Sequence, residues 1–130
     1  MTQEEKQLLL LKDLCARLQY GVKVTFRHNG FRWDWPQTLD EIKKCDDGDY
    51  AVNGWGIHGI KPYLRPMSSM TEEESREFAT LQTDFYSDGW LYPIAAVNMV
   101  DWLNAHHFDY RGLIEKGLAL EAPEGMYETE

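Results

Sequence analysis

Val22-Lys-Val-Thr-Phe-Arg-His-Asn-Gly-Phe-Arg-Trp-Asp-Trp35 is where the chain changes its hydrophobic period. Upstream, Leu8, Leu11, Cys15 and Leu18 recur at helical spacing, Leu10 and Leu14 widen the stripe, and Gly21 supplies a stop. Thr2 with Glu5 has the spacing of a capping box, so the sequence predicts an amphipathic first helix with Cys15 as a small buried thiol on its apolar face. From Val22 the period is 2. Val22, Val24 and Phe26 alternate with Lys23, Thr25 and Arg27, and Phe31, Trp33 and Trp35 alternate with Arg32 and Asp34. Asn29-Gly30 between the two runs is the preferred pair for a two-residue hairpin loop, because both positions need positive φ. A helix feeding a hairpin already points to the α+β class.

Working outward, Leu39 to Lys44 is ambiguous between strand and helical turn, Asp46-Asp-Gly-Asp49 makes a second turn into a run from Tyr50 to Ile57, and a strand is the favoured reading on both sides of that turn. Several short strands ending in Lys61-Pro-Tyr-Leu-Arg-Pro66 predict a small, bent antiparallel sheet or an SH3-like barrel. Thr71 and Glu74 form another capping box, with Glu72, Glu73 and Glu74 where a helix dipole favours negative charge and Phe78, Leu81 and Phe85 as the expected buried stripe. After an Asp88-Gly89 turn, Pro93 opens a further helix carrying Ala96, Met99, Val100, Trp102 and Leu103 to about His106. Asp109 to Gly112 reads as a turn or short helix closing at Gly117, which makes two or three C-terminal helices in all, Leu118 to Leu120 as a last strand or extended segment, and the domain as residues 1–122 followed by an acidic, flexible tail over 123–130.

The 130 residues carry 13 Lys and Arg against 22 Asp and Glu, a net charge of -9. The acidity is concentrated after residue 66, where 13 acidic groups face 3 basic ones. That field repels phosphate backbones and anionic lipid, so general nucleic-acid binding and membrane docking are disfavoured and a basic or neutral protein partner is easier to accommodate. With 43% hydrophobic residues, 5 Trp and 7 Tyr, the chain has enough apolar material to fold. The start is acidic where a secretory signal is basic, no run has the length of a membrane span, and Cys15 and Cys45 are isolated. The expectation is a cytoplasmic protein with reduced thiols.

Lys61-Pro-Tyr-Leu-Arg-Pro-Met-Ser-Ser-Met-Thr-Glu-Glu-Glu74 resembles a signature of small uncharacterised proteins encoded in phage and prophage regions of gut anaerobes. Leu11 to Leu18 with Tyr20-Gly-Val22, His106 to Ile114 and Gly117 to Pro123 are similar to the same family, together about a third of the chain, with the hairpin outside the match. The resemblance implies a setting, a mobile element in a bacterial cytoplasm, and brings no residue roles with it.

His106-His107 with Asp109 and Asp101 is the nearest approach to a metal or acid/base cluster. Adjacent helical positions point about 100° apart, so the two imidazoles cannot share one ion unless the helix ends between them. A histidine at a helix C-terminus and Asp109 as the next cap account for the same residues. Asp46 to Asp49 lacks the alternating ligands and closing Glu of a calcium loop. Neither a glycine-rich phosphate loop nor a Gly-x-Ser-x-Gly elbow is present. No cofactor, metal or catalytic residue is expected.

What remains is interaction surface. Tyr63, Leu64, Met67 and Met70 lie on a segment that two prolines hold extended, and Trp55 stands between glycines, a residue type frequent at binding hot spots. Trp55, Tyr63, Arg65, Met67 and Met70 are the candidate partner-binding residues, while the favoured structural reading of the segment has Tyr63 and Leu64 plugging the barrel and Pro66 ending the excursion before the Thr71 helix. The leading expectation is a non-catalytic protein-binding accessory factor of a phage or prophage. Behind it stand an acidic mimic of nucleic acid that inhibits a host DNA-acting or defence enzyme, an enzyme built on His106, His107 and Asp109, and a nucleic-acid-binding barrel using Lys23, Arg27, Arg32 and Trp33.

Overall fold

Thr2 caps the first helix, α1 (Gln3–Arg17), by accepting the Glu5 N–H at 3.1 Å. The Glu5 carboxylate accepts the Thr2 hydroxyl at 3.2 Å rather than the backbone N–H, so only half the capping box is made. In the computed structural model, which describes residues 1–28, 31–32, 36–89 and 93–127, a short 3-10 turn, Leu18–Tyr20, follows and Gly21 ends it at φ +71°.

The helix does not bury the face that its leucines suggest. Leu10, Asp13, Leu14 and Arg17 point inward, Leu11 is half-buried, and Leu8, Cys15 and Leu18 are exposed. The expected buried thiol at Cys15 is therefore corrected to an exposed one. The reason is a buried ion pair: Arg17 Nε donates to Asp13 Oδ2 at 2.9 Å, and Nη2 donates to Asp13 Oδ1 at 3.2 Å and to the Phe108 carbonyl at 2.6 Å. Hydrophobic counting cannot register two charged residues on the inward face.

Among the described residues nine short strands follow the helix: β1 (Lys23–Thr25), β2 (Arg27–His28), β3 (Phe31–Arg32), β4 (Gln37–Thr38), β5 (Ile42–Lys44), β6 (Tyr50–Val52), β7 (Trp55–Gly56), β8 (Lys61–Leu64) and, near the end of the chain, β9 (Leu120–Glu121). β2 and β3 pair antiparallel with His28 opposite Phe31, the hairpin expected there. Asn29-Gly30, Trp33, Asp34 and Trp35, with the side chains of Arg27, His28, Phe31 and Arg32, lie outside the described residues. A four-stranded sheet runs β4-β1-β8-β9, antiparallel except for the β8/β9 pair, and β5-β6-β7 form a separate antiparallel meander. The fold is α+β and the sheet is not closed into an SH3-like barrel. β9 occupies the outer edge of β8 in parallel, so that edge is unavailable to the meander.

One core joins α1 to both ladders through Leu10, Leu14, Val22, Val24, Phe26, Leu39, Val52, Ile57, Ile60, Leu64, Leu113 and Ala119. Asp109 caps the turn that brings Leu113 in, its carboxylate accepting the Leu113 and Ile114 N–H groups at 2.8 and 3.0 Å. Beyond residue 122, where the sequence suggests a flexible tail, Tyr127 packs on the core. Its hydroxyl accepts the Lys23 N–H at 2.8 Å and donates to the Tyr63 carbonyl at 2.7 Å.

The helical hairpin is α2 (Glu72–Asp84), a π-turn Phe85–Gly89 in place of the expected Asp88-Gly89 turn, and α3 (Ile94–Ala105). The full capping box forms at Thr71 and Glu74. No α2 residue is fully buried, and Phe78, Leu81 and Phe85 are only half-buried, so that stripe seals the hairpin rather than entering the core. The hairpin rests on the body through α3, where Leu103 and Asn104 are buried.

Candidate partner-binding surface

Arg65 fixes the hairpin to the sheet. Its backbone bridges to the segment after α3, donating to the His107 carbonyl and accepting from the Asp109 N–H, each at 2.8 Å. Its guanidinium lies 4.2 Å over the Phe108 ring and meets both Glu74 carboxylate oxygens at 2.7 Å. Glu74 also accepts the Thr71 N–H at 2.9 Å, and His106 Nδ1 lies 3.2 Å from its other oxygen. The Arg65 hydrogen bonds, opposed by partial burial, hold the Glu74 carboxyl at about 2. Trp102 joins the two helices, stacking on Phe78 at 5.5 Å and on Phe108 at 5.7 Å while its indole N–H donates to Glu77 at 3.1 Å. The hairpin is thus presented rigidly.

The side of α3 away from these contacts is apolar and uncovered. Ile94 is 65% exposed, Val97 49% and Val100 37%, and Tyr86 in the π-turn is 75% exposed. Ile94, Val97 and Asp101 stand at i, i+3 and i+7 on one face, and Ala96, Val97, Val100 and Asp101 line a shallow dent of about 240 Å³. A helix apolar on nearly all sides normally has a neighbour on each. Between residues 72 and 105 there are 7 acidic residues and 1 basic residue, and the Glu72, Glu73, Glu77, Asp84 and Asp101 side chains are exposed.

The candidate residues named from sequence take separate places. Trp55, half-buried on β7, packs on the core with its ring 6.2 Å from Phe26. Tyr63 is half-buried on β8 between the buried Pro62 and Leu64. Arg65 is the clamp described above. Met67 is exposed on a 3-10 turn, Met67–Ser69, and Met70 is half-buried just before α2. The exposed stripe of Ile94 and Val97 was missed, yet it had a signal: α3 carries apolar residues on more faces than one contact can cover.

The candidates for chemistry also separate. His106 turns to Glu74, whereas His107, at φ +64°, stacks on Tyr127 with ring centroids 3.8 Å apart and leaves Nδ1 buried without a hydrogen-bond partner. Burial, reinforced by the positive charge of Arg17, lowers the His107 imidazole to about 4. Asp109 is occupied as a cap, Asp47 accepts the Asp49 N–H within its turn, and desolvation by its neighbours raises the exposed Cys15 thiol, the reverse of an activated thiolate. Among the described residues no group of three His, Cys, Asp or Glu side chains is placed to share a metal ion, both cysteines are free, and no helix is long and apolar enough to cross a membrane. No family model, curated protein or solved structure matches the chain.

Proposed function

We propose that this chain is a non-catalytic protein-binding module whose α2–α3 hairpin docks a basic amphipathic segment of its partner. The observation that carries the reading is the exposed Ile94, Val97 and Val100 stripe ending on Asp101 within an acidic surround. Apolar contact along α3 supplies affinity, and the surrounding carboxylates favour lysine and arginine on the flanks of the incoming segment. Arg65, Glu74 and Trp102 support the reading by holding the two helices in one geometry before binding, which lowers the ordering cost. Mimicry of nucleic acid asks for an unbroken acidic face, and the apolar stripe interrupts this one. The resemblance of Lys61 to Glu74 to phage and prophage proteins gives the setting: an accessory factor acting in a bacterial cytoplasm.

The test is fluorescence anisotropy with a labelled Lys/Leu amphipathic helical peptide and its sequence-scrambled counterpart. The amphipathic peptide should bind saturably, should weaken as salt rises, and should lose about tenfold in affinity to the Ile94→Glu, Val97→Glu double variant. Equal binding of the scrambled peptide, or affinity unmoved by the double substitution, would refute the docking site.

A further inference from the structure

A second cleft shares no lining residue with the α3 surface that the protein-binding reading uses. Its walls are the first turns of α1 (Gln3, Lys6, Gln7), the end of β1 and Phe26, the 3-10 turn Ile57–Gly59 with Lys61 beyond it, and the turn at Lys116 to Leu118, enclosing about 460 Å³. That volume suits a small organic molecule. Leu10, Phe26, Ile57 and Ile60 meet the cleft from the buried core, so the interior has an apolar base.

The charge of the lining runs against that of the protein. Lys6, Lys61 and Lys116 stand on it, whereas no aspartate or glutamate does, in a chain with 22 acidic residues and a net charge of -9. Among the described residues neither Lys6 nor Lys61 forms an ion pair, and Lys116 donates to the Arg111 carbonyl without neutralising its charge. Asp49, a carboxylate that touches the lining residue His58, has one oxygen taken by His58 Nε2 at 2.6 Å and the other by the Tyr50 N–H at 3.0 Å. His58 in turn shares a 3.0 Å hydrogen bond with the Gln7 amide, which orders two polar groups on the wall. Three lysines line this one cleft with no carboxylate among the lining residues, so its walls favour an anion over a cation or a neutral molecule.

We propose that this cleft binds a small organic anion, a carboxylate or phosphate monoester carried on a flat apolar body, with Lys6, Lys61 and Lys116 facing the charge and Leu10, Phe26 and Ile60 facing the body. The site is independent of the α3 docking surface, so either can fail without the other.

Naphthyl phosphate, naphthoate and neutral naphthol are titrated into the intact protein, with binding read by calorimetry and by amide chemical shifts. At least one anion should bind saturably, with shifts centred on Gln7, Phe26, Ile60 and Leu118, and naphthol should bind at least about tenfold more weakly. Binding of the phosphate alone assigns the site to a dianion, and binding of the carboxylate as well shows that a single charge suffices; both outcomes support the site. The Lys6→Gln, Lys61→Gln double variant should weaken the anion by about tenfold or more. Shift mapping on the unaltered protein needs no variant and guards against a folding defect. Failure of both anions to bind, naphthol binding as tightly as they do, or shifts centred outside the cleft would overturn the proposal.

Discussion

Protonating His107 should destabilise the fold, in a pH window that can be worked out from its surroundings. The imidazole is buried against Tyr127, with Arg17 from α1, Lys23 from β1, Arg65 from the end of β8 and its neighbour His106 all contributing positive charge. Its folded value of about 4 lies below the ordinary 6.5, so below about pH 6.5 the unfolded chain takes up a proton that the folded chain refuses. Stability from this group is therefore present above pH 6.5 and is lost as pH falls toward 4, at up to about 1.4 kcal/mol per pH unit and about 3 kcal/mol in all. Between about pH 7 and pH 5 the loss is about 2 kcal/mol, while Glu74, lowered from 4.5 to about 2, loses its own contribution mainly below pH 5. The perturbation is His107→Phe, which keeps a ring on Tyr127, removes the buried Nδ1 and carries no charge. Urea unfolding followed by tryptophan fluorescence at the two pH values should show the midpoint falling for the native chain and holding for the variant, after the shared contribution of the other histidines is subtracted. An equal fall in both proteins, or an NMR titration of the His107 ring near 6.5, would refute the reasoning.

Asp13→Ala leaves the fully buried Arg17 guanidinium with the Phe108 carbonyl and the nearby Arg111, and should cost about 3–5 kcal/mol by urea unfolding, most of it recovered in an Asp13→Leu, Arg17→Met double variant. Leu14→Ala should cost about 2–5 kcal/mol and Leu8→Ala under about 0.5 kcal/mol; the reverse order would place the buried face of α1 where its leucine spacing suggests. Tyr127→Phe strands the Lys23 N–H and the Tyr63 carbonyl and should cost about 1–3 kcal/mol by thermal or urea unfolding, whereas a freely moving tail predicts no change.

Local interactions were legible in the sequence. The Thr71 and Glu74 cap, the hairpin pairing of β2 with β3, the Asp109 cap and the α+β class each depend on residues within a few positions of one another, so their spacing states them. The uneven charge was equally plain, because charge is additive along the chain. Contacts across long separations were not. Arg17 reaches the Phe108 carbonyl across 91 residues and turns α1 away from its leucine-rich face, which exposes Cys15. Tyr127 returns across 104 residues to Lys23, and β9 takes the edge of β8 and leaves the sheet open. Arg65, read from sequence as a surface residue, becomes a clamp because Glu74 and Phe108 arrive from two other elements. The α3 stripe and the lysine-lined cleft are likewise products of tertiary structure. A sequence shows that Ile94 and Val97 are apolar and that Lys6, Lys61 and Lys116 are basic, but packing alone decides which apolar face is left uncovered and which lysines come to line one cleft without a carboxylate on its walls.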